Sequence, residues 1–288
     1  MHCNHERTST KMQITQQYHI KATEKREGYF AIPELDRHKS SVQQFIALSG
    51  IAPIKLTQAT AFLYVDGFTT SQAEAGIGNA PNKFQVALKT GSSYIAHEWV
   101  NQFENKHYLK HVNIITSTCA AGIQAVWEAQ RLLDSGVCRE VIIIGGERIT
   151  EGTLRLFKEL RIPVICGDGF VFLRLVDKGA QIHDIKWKYA YNENPFAFTK
   201  DTLNSLLPFY PVGYVKLHGT GSEANTEAEA DLAEFATPLS YKQDIGHTQG
   251  ISSLLETCIV LADDSIEGKV LITANGLGGF YGAFTLNK

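Results

Sequence analysis

The sequence has no C-x-x-C pair and no cysteine–histidine spacing of a metal finger, although it carries five cysteines, at 3, 119, 138, 166 and 258. An odd count spread over 288 residues argues against a disulfide framework, so a reducing, cytoplasmic setting is expected and no metal site is. Long hydrophobic runs are missing too. The longest aliphatic stretch, "VIIIGG" from Val141, is far too short to span a bilayer, and the N-terminal "MHCNHERTSTKMQITQQYHIK" lacks the apolar h-region of an export signal. Neither sign of charge dominates: 27 basic and 30 acidic side chains give a formal net charge of −3, which leaves no broad basic field for nucleic acid or an anionic membrane. Low-complexity tracts and short-period repeats are absent. The glycine-rich "NGLGGFYGAF" (275–284) has neither the spacing nor the following helix of a dinucleotide fingerprint.

With 44% hydrophobic and 20% charged residues, the chain has the composition of a soluble globular protein able to bury a full core, as one large domain or two modest ones. Strand-like runs recur at 59–67, 111–116, 139–146, 169–176, 213–219, 269–276 and 282–288. Several are apolar throughout, the pattern of strands covered by helices on both faces. Helical periodicity separates them. Ile123, Val126, Trp127 and Leu133 fall on one face, Ala228, Leu232 and Phe235 on another, and Ile251, Leu254, Leu255, Cys258 and Ile259 follow i, i+3, i+4, i+7, i+8. Alternating strands and helices predict an α/β protein with mainly parallel sheets. The alternation runs through twice, with a break near 177–196 where glycine, charge and Asn-Pro punctuation gather.

Four clusters hold candidate chemistry. In "NIITSTCAAGIQAVWEAQRLLDSG" (113–136) a strand delivers Cys119 to the first turn of a helix. Free amides and the positive dipole end there favour a thiolate, and Ala120, Ala121 and Gly122 leave room for a substrate carbonyl. An inert buried thiol is the alternative. In "YVKLHGTGSEANTEAEADLAEF" (214–235) a strand ends at His218 and flexible glycines follow; Thr220 and Ser222 also suit a helix cap, and the acidic run 227–234 suits a solvated helix face. In "YKQDIGHTQGISSLLETC" (241–258) Lys242 stands five residues before His247, ahead of an amphipathic helix. The fourth is the glycine turn at 275–279.

Taken in order, "TSTCAAG", "HGTGS", "KQDIGHTQG" and "NGLGG" resemble the motifs of the β-ketoacyl synthases of the thiolase superfamily, Cys-His-His type; "VIIIGGE" and "CGDGFVFLRL" are also similar to family segments. The resemblance runs from about Ala59 to the C-terminus. It implies a layered αβαβα fold of two similar halves, 1–180 carrying the cysteine and 181–288 carrying both histidines. Cys119 would accept an acyl chain, and His218 and His247 would promote decarboxylation of a malonyl-carrier thioester for a Claisen condensation, in fatty-acid or polyketide synthesis. The backbone amides of Cys119 and Leu277 would form the oxyanion hole. Lys242 and Glu229 would be the supporting charges, expected as an ion pair, and Thr220 and Ser222 would contact the phosphopantetheine arm of an acyl carrier protein. No bound cofactor is implied.

Departures from the family pattern are also visible. Leu277 replaces the phenylalanine that usually gates the acyl pocket, Thr226 stands where the family has aspartate, and the chain is short before Ala59 and between Asp177 and Pro211. A short core implies a partner, either a second copy or another ketosynthase-like subunit. Two further functions remain open: a chain-length-factor-like partner with little catalysis of its own, and an acyltransferase or thioester hydrolase on the same scaffold.

Overall fold

Apolar runs without polar alternation must be covered on both faces. A computed structural model, which describes residues 11–35, 41–51, 53–66, 91–159, 164–193 and 199–288, shows helices doing so. Sheet one contains β1 (Gln13–Lys21), β2 (Thr60–Val65), β3 (Leu109–Ile115), β4 (Glu140–Glu147) and β5 (Gly169–Val176). Sheet two contains β6 (Ile182–Tyr189), β7 (Tyr214–Lys216), β8 (Thr237–Leu239), β9 (Lys269–Gly276) and β10 (Phe280–Asn287).

The strand orders are β1-β5-β4-β2-β3 and β6-β10-β9-β7-β8. Each sheet has two antiparallel pairings on one side and two parallel pairings on the other. Adding five to every strand number of sheet one yields sheet two, so the chain runs one topology twice, a repeat that side-chain identities do not disclose. Strands of the first sheet lie within residues 13–176 and those of the second within 182–287.

Between the sheets lie α2 (Ala121–Asp134) and α5 (Ser252–Ala262); α1 (Ser92–Asn101) covers the outer face of sheet one, and α3 (Glu223–Ala228) with α4 (Ala230–Phe235) covers that of sheet two. Alternate strand residues sort between these layers. Ala61, Leu63 and Val65 of β2 enter the central core with Val141 and Ile143 of β4, while Phe62, Tyr64, Ile142 and Ile144 pack outward with Trp99. On β9, Val270, Ile272 and Ala274 face the centre and Leu271 faces outward. The five layers are thus helix, sheet, helix, sheet, helix, as the resemblance implies. Among the described residues no helix is long and apolar enough to cross a membrane.

Three edge strands escape the sequence reading: the three-residue β8, and the longer β1 and β6. β1 lies in a polar, half-exposed stretch, and β6 occupies the segment read as a break. Each pairs antiparallel with the last strand of its half, so backbone bonding holds them where side-chain patterning is weak. The expected helix through Ala228, Leu232 and Phe235 is interrupted at Glu229, leaving Phe235 36% exposed. Gly67 of the first expected strand and the Asn-Pro at 194–195 lie outside the described residues.

The central helices cross at Gly122. A Cβ there would stand 2.3 Å from Ser253 Oγ and 2.9 Å from Leu254 Cγ. Gly122→Val is expected to lower unfolding stability by about 2–3 kcal/mol in chemical denaturation. Gly136→Asn, at a helix end with φ +71° and open space around it, should change it by less than about 0.5 kcal/mol.

Candidate functional site

Both halves make the same sharp entry into their central helix. After β3, a single 3-10 turn, Thr118–Ala120, leads into α2; before α5 the equivalent turn is Gln249–Ile251. The first residue of each turn is strained, with φ 50° at Thr118 and φ 47° at Gln249. Cys119 and Gly250 therefore occupy matching positions, and the two turns pack against each other. A Cβ on Gly276 would meet Thr118 Oγ1 at 2.5 Å, so glycine is required where the end of β9 passes the cysteine turn. Thr118 Oγ1 donates to the Leu277 carbonyl at 3.2 Å and fixes that loop.

His218 follows β7 and is held by its backbone. Its N–H donates to Glu229 Oε1 at 2.6 Å, Gly219 N–H donates to Oε2 at 2.9 Å, and its carbonyl accepts from Lys242 Nζ. His247 donates its N–H to the Ile165 carbonyl at 2.7 Å and accepts from Gly167 N–H at 3.1 Å. Its ring is fixed as well: Nδ1 accepts from Gln249 N–H at 3.0 Å, with Ser252 Oγ at 3.0 Å. Nδ1 thus carries no proton in the neutral ring, and Nε2 does.

The two rings meet edge to face with centroids 5.1 Å apart and planes at 80°. Cys119, His218 and His247 each offer an atom within 4.8 Å of the others, and they are 7%, 2% and 2% exposed. The structure therefore brings together the cysteine and both histidines singled out in the sequence. The backbone amides of Cys119 and Leu277 both reach the Cys119 sulfur.

The expected Lys242–Glu229 ion pair does not form. Glu229 spends its carboxylate on the amides of His218 and Gly219 and on Asn225 Nδ2, and Lys242 pairs with Glu256 at 2.8 Å. Glu256 also takes Lys216 at 2.6 Å. Glu256 and Lys216 are charged residues the sequence reading missed; the signal for Glu256 was a lone acid inside the apolar helix "SSLLETCIVLA". Glu229, read from its run as a solvated acid, is 2% exposed. Thr220 and Ser222 take part in a capping network: Ser222 Oγ accepts from Asn225 N–H at 3.3 Å, and Thr220 Oγ1 lies 3.1 Å from Ser222 Oγ. Thr226, in the family's aspartate position, donates to the Ser222 carbonyl at 3.0 Å.

Burial dominates the electrostatics. It pushes the Cys119 thiol up to about 12; Lys242 and the two amides pull the other way, and Glu147 adds to the rise. The thiolate expected from the helix dipole is therefore not the resting form, because desolvation outweighs the few amides that face the sulfur. Burial also drives His218 and His247 well below the ordinary histidine value, assisted at both by Lys242 and Lys216, and at His218 by His247. Burial alone would raise the Glu256 carboxyl, but Lys216 and Lys242 outweigh it and hold it low. Burial raises Glu229, against the pull of its two amides.

One sulfur and two imidazole nitrogens are a donor set that can ligate a soft divalent ion. The positive charges of Lys242 and Lys216, which act on both imidazoles, oppose a dication there, so the cluster suits covalent chemistry better. Because the thiol is neutral at rest, alkylation of Cys119 by iodoacetamide should accelerate about tenfold per pH unit from pH 7 to pH 10. A Cys119→Ala control isolates that site, and a plateau near pH 7–8 would contradict the neutral resting state.

No protein-family model and no curated protein sequence matches the chain. Solved structures do. A β-ketoacyl synthase from Burkholderia phymatum STM815 superimposes with a TM-score of 0.75 over 97% of this chain and 99% of its own, at 14% identity. The ishigamide ketosynthase/chain length factor gives 0.68 over 90% and 87%, also at 14% identity. The ketosynthase from module 1 of the bacillaene synthase of Bacillus amyloliquefaciens FZB42 gives 0.58 over 82% of this chain but 58% of its own, at 12% identity. The repeated five-layer architecture is the thiolase-like fold of the ketosynthases.

Proposed function

We propose that the chain is a β-ketoacyl-carrier-protein synthase-like condensing enzyme of fatty-acid or polyketide biosynthesis. The observation that carries this reading is the convergence of one thiol and two neutral imidazoles within 4.8 Å, on a sulfur faced by two backbone amides.

In the proposed first step Cys119 Sγ attacks the carbonyl of an acyl-carrier thioester. The thiol proton must leave as the bond forms, and a neutral imidazole is the available acceptor. His247 Nε2 already bears a proton, since Nδ1 is engaged by Gln249, so the base role falls to His218. The tetrahedral oxyanion is taken by the amides of Cys119 and Leu277, and the carrier thiol departs with the proton. In the second step the malonyl carboxylate leaves as carbon dioxide. Its electron pair passes to a thioester enolate, whose oxygen accepts a hydrogen bond from His247 Nε2–H and a second from His218 after that ring exchanges to the tautomer that presents N–H. The enolate carbon attacks the acyl-cysteine, the same two amides hold the second oxyanion, and Cys119 leaves as the thiolate and takes up one proton from solvent, the proton that the overall reaction consumes.

Substrates are proposed to arrive on the phosphopantetheine of an acyl carrier protein, past Thr220 and Ser222, with no cofactor bound, in the cytoplasm. A second ketosynthase-like subunit, identical or not, is the proposed partner. The asymmetry of two equivalent sheet edges supports it: β3 is seven residues long with Val112 46% exposed, whereas β8 is three residues long and contains Pro238.

Intact-mass analysis after incubation with acyl-carrier protein is expected to show an acyl adduct that Cys119→Ala abolishes, together with all β-keto product. An unlabelled chain that nonetheless alters the product length of a companion ketosynthase would favour the partner-subunit reading. Free acid without carbon–carbon bond formation would favour hydrolysis. The assigned roles also separate the half-reactions. His247→Gln should cut malonyl-carrier decarboxylation by about 10²–10⁴ while sparing acyl loading of Cys119, and His218→Gln should impair both.

A further inference from the structure

Lys216 ends β7 two residues before His218, and its side chain is fully buried. Its ammonium donates to Glu256 Oε2 at 2.6 Å and to the Thr273 carbonyl on β9 at 2.7 Å, while Thr273 Oγ1 donates back to the Lys216 carbonyl at 2.9 Å. The other carboxylate oxygen takes Lys242 at 2.8 Å, and Lys242 also donates to the His218 carbonyl. Cation, anion and cation stand in a buried row. Glu256 balances one lysine, so the row carries one positive charge more than its own anion; burial lowers the Lys216 pKa, with Glu256 and then Glu229 pulling the other way.

The imidazoles are what that charge faces. Around them stand Lys216 from β7, Lys242 from the short helix Lys242–Ile245, Glu256 from α5, Glu229 between α3 and α4, and Cys119 from the turn before α2. Cys166 is paired with the His247 backbone, and Glu147 at the end of β4 acts on the sulfur. Glu229 lies against the amides of His218 and Gly219; it forms no direct ion pair with either lysine, though both act on its carboxylate through space.

We infer that Lys216 is a positioning residue of this site: through Glu256 it fixes Lys242 beneath the His218 carbonyl, and it supplies the excess positive charge that holds both imidazoles in their uncharged form. The inference rests on the condensing-enzyme reading for its purpose, since uncharged imidazoles are the ones that accept the thiol proton and then donate to the enolate. Its electrostatics stand independently of that reading. Lys216 acts to lower both histidines, in the same direction as Lys242.

The test counts charges. NMR titration of the histidine side chains, which needs no substrate, is carried out on the full chain and three variants. Lys216→Met, which leaves the row neutral, should raise the His218 and His247 midpoints by about one pH unit. Glu256→Gln, which leaves it doubly positive, should move them further down. The double variant restores a single positive charge and should return them to near wild type. The acid limb of malonyl-carrier decarboxylation should follow in the same order. It moves to higher pH in Lys216→Met, because protonation that removes the working neutral form then occurs sooner, and Lys216→Arg should restore it.

Unchanged midpoints in a folded Lys216→Met protein, or a double variant that titrates like Lys216→Met, would overturn the inference. Should Lys216→Met fail to fold, a Glu256→Gln protein whose midpoints do not fall would overturn it equally. Midpoints that move as expected in a protein without decarboxylase activity would retain the electrostatic role and remove the condensing-enzyme reading.

Discussion

Close contact of the two central helices is the constraint on which the site depends. α2 and α5 approach so nearly that Gly122 has no space for a side chain beside Ser253 and Leu254. That approach sets the two strained turns face to face, one bearing Cys119 and the other starting two residues after His247. β9 is drawn into the same junction, since Gly276 must slip past Thr118 before the Leu277 amide can reach the sulfur. A sulfur, an imidazole and an oxyanion donor from three separate stretches of chain are located by one helix crossing.

A dry interior then decides the protonation states. Moving the thiol from its ordinary 9.0 to about 12 corresponds to about 4 kcal/mol against the thiolate, more than a helix terminus commonly returns. The histidines are held uncharged by the same burial and by the lysines below them. The resting site is therefore neutral at all three reactive groups. Charge develops only as bonds are made, in a place where fixed amides and protonated nitrogen already point at it.

Much of this was legible in the letters. Strand boundaries at 169–176 and 269–276 coincide with β5 and β9, because those runs are rich in apolar and β-branched residues and stop at a charge, Asp177, or a glycine, Gly276. The cysteine turn and both histidines could be located from the motifs. The polar edge strands β1 and β6 could not, since backbone pairing to a neighbour leaves little mark on side-chain type. The partner of Lys242 was also hidden. A motif places a lysine and a glutamate at fixed spacing, but which carboxylate the ammonium reaches depends on how α5 lies across β7, and that brought Glu256. The resting thiol ran against expectation for a related reason: a dipole can be inferred from a helix start, whereas the depth at which the sulfur lies cannot.

The division of labour between the two halves has an evolutionary corollary. His218, His247, Lys216, Lys242, Glu229 and Glu256 all belong to the half built on sheet two, where all but His247 lean on another of the set through a hydrogen bond or ion pair and His247 meets His218 ring to ring. Cys119 comes alone from the other half, and its matching position there is an ordinary glycine, Gly250. The nucleophile is thus a detachable part on an intact chassis. A lineage could shed it in one step and keep a sound fold, while losing Glu256 ahead of its lysines would strand two buried cations.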